Sequence, residues 1–473
     1  SDVCSSRSDG RREDVKHFAQ NIGVNYCARP NNMHAKAGNL NFGLSKSSAE
    51  FILVLDADHI VLPHALNITL GHFDNQKVAM IQTPQDYYNT NAFQYINFKD
   101  KIWHDQSFFY DISQSCNDTY NGSSCVGTGV IYRRSALDEI GGFPITTVTE
   151  DIHTSLKMHK AGYETVYLNE SIAYGIAAAD LSEYYKTRHR WAHGNLNVLR
   201  HEKVLTCKGL TLRQRIAYLS LGLIYLEGWQ KLILFIVPVI TLIIGLPPFE
   251  ISIFNVLVVL CFPFFSYLML QEIGCGFSNF WANEIFAIIR WPIHIISVVA
   301  LFGKKIRWIS STKKIKSNIT WGLMVPQVVV LLISLVAMIV AVFKLKSNFE
   351  AGPIYTFIKG YLDVFINLIS AKNTVISNTY IIKAKAINIY SVTTKGYSLD
   401  LVAIAGLWVL YNIIMNLVFI YKVFANFLSS KKYFQFNIHF PLTVNLSDQG
   451  QTVVLAEDFI IFNISSINAS NYL

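Results

Sequence analysis

Two hydrophobic patterns divide the 473-residue chain. Through residues 1–215, short apolar runs alternate with amphipathic stretches, as the strands and helices of a soluble α/β domain do. From 216 to 427 the runs lengthen toward the roughly 20 residues that cross about 30 Å of hydrocarbon. Four spans are predicted, at 217–246, 251–271, 319–343 and 400–425. Residues 283–302 are also apolar, but Arg290, Pro292 and His294 interrupt them. They are predicted to lie as a helix in the membrane interface. Beyond 428, apolar and polar residues alternate in YFQFNIHFPLTVNL and VVLAEDFIIFNIS, the period of short strands.

Within the soluble half, VKHFAQNIG predicts a helix ending at Gly23 and VNYCAR a strand. A second helix follows HAKAGNLN and runs to Ser47. Phe51–Val61, FILVLDADHIV, then carries five apolar residues into Asp56-Ala57-Asp58-His59. Such a run predicts a buried strand of a parallel sheet. It delivers two carboxylates to the strand's C-terminal end, where open α/β sheets bind ligands. Alternation along the strand would put Asp56 and Asp58 on one side. Two hard oxygen donors at this spacing suit Mg2+ or Mn2+ held jointly with a diphosphate. Taken alone, they suit a helix cap and a solvated side chain equally well. Further strands are predicted at Val78–Gln82 and Glu164–Leu168. Thr149-Glu150-Asp151 opens a helix whose positive end suits the carboxylates. A helix over 181–200 carries Arg188, Arg190 and Trp191.

Composition separates the halves further. The chain is 52% hydrophobic and only 15% charged, too apolar for a wholly soluble protein. Much of the net charge of +8 lies in short loops beside apolar runs, around 200–215 and 304–316. That is the bias of cytoplasmic loops and not a nucleic-acid surface. It places the soluble domain, the loop 303–316 and the tail after 425 on one side, and 347–399 on the other. Seven cysteines form no CxxC pair, which argues for reduced thiols and against a zinc site or a disulfide framework. Ser1–Gly10 reads as a segment from the middle of a domain, so the domain is expected to lack its first strand.

In order, the motifs are a DG turn, HAKAGNLN, DADH, QTPQ, a Cys-Gly loop, TED and RxRW, followed by membrane spans. This series resembles the bacterial cellulose synthase catalytic subunits and, more broadly, the processive family 2 glycosyltransferases. The resemblance implies an α/β GT-A-like domain, incomplete at its N-terminus, then an α-helical transmembrane region and a short β-rich tail similar to PilZ over 428–473. It implies that Asp9 and Lys36 contact the UDP moiety and that Asp56 and Asp58 bind metal and UDP, with His59 as a further ligand. Asp151 resembles the general base. Cys125, ahead of Gly127, resembles the acceptor-side loop, with Ser123 and Ser124 where that family has Phe. Arg188 and Arg190 resemble the diphosphate-binding arginines, and Trp191 the tryptophan that stacks on the acceptor. Trp308, Ser311 and Lys313 resemble a gating loop, and Asn463–Asn468 a cyclic di-GMP-binding element.

The implied activity is inverting, processive transfer of glucose from UDP-glucose into β-1,4-glucan, with translocation across the bacterial inner membrane. Implied partners are the UDP-sugar, the growing polysaccharide, the lipid bilayer and a periplasmic accessory subunit, with Mg2+ or Mn2+ as cofactor and cyclic di-GMP as activator. Nucleic acid is not among them. Mannan, chitin, poly-N-acetylglucosamine or hyaluronan as product, and an inactive membrane scaffold, are the competing expectations.

Overall fold

The computed structural model describes residues 2–3, 13–98, 101–245, 247–248, 253–277, 279–302, 321–347, 359–363, 399–434, 444–446 and 451–453. Asp9, the loop carrying Trp308, Ser311 and Lys313, and Asn463–Asn468 lie outside these residues. So does most of the segment 347–399.

Contacts divide the chain into two compact units: residues 1–227, 293–319 and 425–473 form one, and 228–292 with 320–424 the other. In the first, β1 (Asp2–Val3) pairs in parallel with β2 (Asn25–Tyr26), with α1 (Glu13–Asn21) joining them. α2 (Ala35–Lys46), β3 (Phe51–Val54), β4 (Ile60–Val61), α3 (Ala65–Thr69), β5 (Val78–Gln82) and β6 (Asp86–Tyr87) follow. A hairpin of β7 (Tyr95–Phe98) and β8 (Lys101–His104) leads through α4 (Ser115–Asp118) to β9 (Val130–Arg133). α5 (Arg134–Glu139), α6 (Glu150–Lys160), β10 (Glu164–Tyr167), β11 (Ala173–Gly175), α7 (Leu181–His201) and α8 (Leu212–Leu223) complete the series.

The main sheet has the order β10-β5-β9-β3. β10 and β5 are parallel, but β9 runs antiparallel to both β5 and β3. The expectation that Phe51–Val61 forms a buried strand of a parallel sheet is therefore corrected. Among the described residues β3 pairs on one side only, and its first three residues are half-buried, with Val54 buried. Among the described residues, the strands buried at every position are β5, Val-Ala-Met-Ile-Gln, and β9, Val-Ile-Tyr-Arg. Val54, Met80, Val130, Tyr132, Leu137 and Met158 join the core that backs the site. A second sheet, β4-β11-β6, sits beyond the end of β3.

The second unit is helical, with α9 (Glu227–Ile244), α10 (Ile253–Ile273), α11 (Phe280–Ser297), α12 (Val325–Ser347) and α13 (Leu399–Phe434) contributing to it. Ala337, Ala341 and Ala405 pack with Val239, Leu242 and Val409, small residues that let helix backbones approach. Lys231 and Glu284 pair at 2.6 Å, and the Tyr411 hydroxyl donates to the same carboxylate. Charges placed among apolar helices pair in this way because an isolated one is costly there. Among the described residues, five helical segments are long and apolar enough to cross a membrane: Leu212–Ile244, Phe254–Ile273, Phe280–Phe302, Trp321–Leu345 and Leu399–Leu428. Four coincide with the predicted spans. The fifth is the segment expected in the interface, which by length and composition alone also qualifies to cross.

Candidate active site

β3 stops at Val54, and the DAD motif occupies the turn that follows. The His59 N–H donates to the Asp56 carbonyl at 3.0 Å and closes that turn. Asp56 and Asp58 are thus brought together by a turn, not by strand alternation. The Asp56 N–H donates to Thr128 Oγ1 at 3.0 Å, tying the turn to the Cys-Gly loop. Asp58 Oδ2 accepts from Ile176 N–H at 3.4 Å, and its Oδ1 lies 3.5 Å from His59 Nδ1. The His59 ring is buried against Gly175, where any Cβ would collide with it. Neither of its nitrogens has a hydrogen-bond partner. Donor atoms of Asp56, Asp58 and His59 all lie within 4.8 Å of one another. Two carboxylates and a buried imidazole with an unused lone pair fit a divalent ion.

Lys36 enters from the first turn of α2. The chain reaches it through His34 and Ala35, both left-handed, at φ 62° and 46°. That conformation costs a non-glycine residue about 1–2 kcal/mol. Arg29 offsets it by clasping the turn, donating to Met33 O at 2.5 Å and Ala35 O at 2.9 Å. The Lys36 ammonium then bonds Asp56 Oδ1 and the Gly127 carbonyl, both at 2.6 Å, and lies 4.0 Å from Glu150 Oε1. Burial opposes its charge, but Asp56, Glu150 and Asp151 together outweigh that and raise its pKa well above the ordinary lysine value. Burial likewise opposes ionisation of Asp56, and Lys36 and His59 outweigh it, holding this carboxyl below its usual range.

Glu150 and Asp151 occupy the first turn of α6, where unpaired N–H groups favour negative charge. Asp151 Oδ1 accepts from Ile152 N–H at 2.8 Å. Its Oδ2 faces Gly127, whose φ of +91° suits glycine and where an added Cβ would sit 2.8 Å from that oxygen. Burial and the neighbouring Asp151 push Glu150 up to about 7, against the pull of Lys36 and Arg190. Burial also raises Asp151, while the Ile152 N–H, Lys36 and Arg190 restrain the rise.

The loop 123–129 is braced by Gln82 of the QTPQ motif, which donates to Thr128 O at 2.8 Å and accepts from Val126 N–H at 2.9 Å. Cys125 is fully buried, its sulfur 2.8 Å from the Tyr132 hydroxyl and accepting from Gly127 N–H. Burial pushes the thiol well above its ordinary value. The expected acceptor-side cysteine therefore faces the core, and Val126 is the partly exposed side chain of the loop. Ser123 and Ser124 are buried too, the first bonded to Thr165 at 2.9 Å and the second to Gln114.

Helix α7 brings Arg188 and Arg190 to different places, since residues two apart on a helix do not share a face. Arg188 is buried, paired with the fully buried carboxylate of Asp105, and stacked 5.0 Å over Tyr184 and 4.5 Å over Trp191. Arg190 bears electrostatically on Glu150 and Asp151. Gly194, one turn on, admits Thr149 so closely that a Cβ would lie 2.7 Å from its hydroxyl. Lys36, Asp56, Asp58, His59, Asp151 and Arg190 thus belong to one constellation, whereas Cys125 and Arg188 turn into the protein. Sequence reasoning missed Asp105, Gln82 as a brace, and Gly194. Gly194 was marked only by its place three residues after the tryptophan.

Residues 51–270 match the family described as glycosyl transferase family group 2. The chain is 35% identical over 334 residues to a cellulose synthase catalytic subunit of Pseudomonas fluorescens, covering 69% of this chain and 45% of the relative. It is 39% identical over 216 residues to the cellulose synthase 1 catalytic subunit of Komagataeibacter xylinus, covering 45% and 29% respectively. Among solved structures, a mannosyltransferase of Pyrobaculum calidifontis in complex with GDP-Man and Mn2+ matches 63% of this chain and 76% of its own, at 14% identity and TM-score 0.45. The chain spans less than half the length of the curated relatives it matches. With its DAD, TED and lysine motifs converging on one site, the chain is similar in sequence to bacterial cellulose synthase catalytic subunits, and its residues 51–270 match glycosyl transferase family group 2.

Proposed function

We propose that the chain carries the catalytic site of an inverting, processive glycosyltransferase that extends β-1,4-glucan from UDP-glucose. The observation that carries this reading is the Lys36 ammonium. It joins Asp56 of DAD, the Gly127 carbonyl and Glu150 of TED in one buried cluster. A carboxylate pair for donor and metal, and a separate raised carboxyl for the acceptor, are what single displacement needs.

Asp151 serves as base. Its Oδ1 is held by the helix N–H, so Oδ2, on the side of Gly127, takes the proton from the acceptor hydroxyl as that oxygen attacks the donor's C1. Burial strengthens it as a base, and Lys36 and Arg190 favour its ionised form. Asp56, Asp58 and His59 would hold Mg2+ or Mn2+, which would supply charge stabilisation for the departing UDP. Lys36 and Arg190 add positive charge for the diphosphate, and Trp191 offers a partly exposed ring to the acceptor sugar. Arg188 supports that ring from beneath.

In this reading the catalytic domain lies on the cytosolic side of a bacterial inner membrane, the helical unit carries the polymer outward, and 283–302 lies along the interface. The basic loops support the orientation. Cyclic di-GMP as activator and a periplasmic accessory subunit belong to the same reading through the resemblance of the chain to whole synthases. Radiolabel transfer by the full-length parent in membranes tests the donor. Insoluble, cellulase-sensitive product from UDP-glucose is expected. Product only from another nucleotide sugar would change the polymer, and no transfer from any donor would favour a scaffold.

A further inference from the structure

A second group of metal-ligand side chains lies where the helix of Asp151 meets the end of α7. His153 is buried in the first turn of α6, and its Nε2 is 2.7 Å from Glu202 Oε1. Glu202 follows the last residue of α7, and that residue, His201, brings Nδ1 to 3.4 Å from the same oxygen. The three donor atoms lie within 4.8 Å of one another. Lys160 occupies the other Glu202 oxygen at 2.6 Å.

The hydrogen bonds around His153 prepare it as a ligand. The Thr147 hydroxyl lies 3.4 Å from Thr149 O and 3.1 Å from His153 Nδ1, placed to accept from that nitrogen when Nε2 binds a metal. Nε2 faces a carboxylate that Lys160 and His153 together hold ionised. At 2.7 Å, either a proton on Nε2 or a cation lies between Nε2 and Oε1. A ligating imidazole whose other nitrogen donates to a fixed acceptor is the usual outer-shell arrangement of metal-binding histidines. His201 is half exposed, which leaves the group open to solvent for entry and for a water as fourth ligand. Lys157, the other nearby cation on α6, donates to Ile140 O instead.

We propose that His153, His201 and Glu202 form a second divalent-metal site, suited to Zn2+ in preference to Mg2+, that clamps the helix bearing Asp151 to the end of the helix bearing Arg190. Two imidazoles and one carboxylate are a zinc-type donor set, whereas Mg2+ favours oxygen ligands and retains its waters. On entry, Zn2+ replaces any proton shared by Nε2 and Oε1, and that proton leaves to solvent. The site's occupancy does not depend on which sugar the chain transfers.

The test uses the full chain in nanodiscs without a histidine tag, stripped with EDTA and titrated with Zn2+ against a chromophoric chelator in excess Mg2+. The Asp58→Asn variant serves as background, to remove the DAD site. Stoichiometric Zn2+ binding is expected, weakened about tenfold or more in His201→Ala and in Glu202→Gln. Thr147→Val should weaken it as well while leaving the ligands in place. X-ray absorption of the loaded protein should show imidazole nitrogens on zinc. Binding equal in the parent and in His201→Ala, no binding at all, or binding that disappears only when DAD is altered would each overturn the proposal. Circular dichroism of His201→Gln, a second exposed substitution, separates loss of a ligand from loss of the fold.

Discussion

Glu150→Gln should stabilise the protein in alkali and not in acid. Glu150 lies beside Asp151 with its side chain 11% exposed, and its pKa rises from 4.5 to about 7. Keeping it ionised at high pH therefore costs about 3 kcal/mol relative to the unfolded chain. The attraction of Lys36 at 4.0 Å is already contained in that value. The folded state binds the proton more tightly than the unfolded state does. The stabilisation from this group is thus complete below about 4.5 and is lost as pH rises through about 7. Glutamine stays neutral throughout. At pH 4 the variant and the parent should unfold together. At pH 8.5 the variant should gain up to about 3 kcal/mol, or roughly 6–12 °C for a unit of this size. Fluorescence-monitored thermal unfolding in nanodiscs at the two pH values reads the difference. An equal shift at both, or destabilisation at pH 8.5, would refute the assignment of burial and like charge to this carboxyl.

Other substitutions probe the framework. Gly127→Ala forces a left-handed alanine and sets its Cβ 2.8 Å from Asp151 Oδ2; a loss of about 1–2 kcal/mol in thermal unfolding is expected, with a fall in kcat larger than the change in KM. Gly194→Ala should push Thr149 and the TED turn away from α7, and Thr149→Ser, which removes the methyl group nearest the new Cβ, should restore part of the lost transfer rate. Asp105→Asn strands the buried Arg188 guanidinium and should cost about 3–5 kcal/mol; the double variant Asp105→Asn with Arg188→Met should lose less by the same unfolding assay.

Much of the site was legible because its chemistry is local. DAD, TED and HAKAGN each place charged groups within a few residues, and the structure joins them through one lysine. What stayed hidden depends on direction and on distant partners. An apolar run such as Phe51–Val54 does not encode whether its neighbour is parallel, and here β9 is antiparallel. Cys125 and Val126 are adjacent, and which of them meets solvent follows from the Tyr132 hydroxyl and the Gln82 brace, both remote in sequence. The serines at 123 and 124 looked like changes to the acceptor surface. They are instead buried hydroxyls satisfied by Thr165 and Gln114. The separation of Arg188 from Arg190 could have been read from helical geometry, since residues two apart do not share a face. Asp105, which claims Arg188, is 83 residues away, and nothing local marks it.

The most direct test of the central claim compares binding with transfer in Asp151→Asn. If Asp151 is the base of a site whose donor half is Lys36, Asp56 and Asp58, the variant should bind UDP with Mg2+ or Mn2+ as the parent does. Its glycosyl transfer should nevertheless fall by about 10²–10⁴-fold. Transfer persisting at the parent rate, or UDP binding lost together with transfer, would contradict that division of labour.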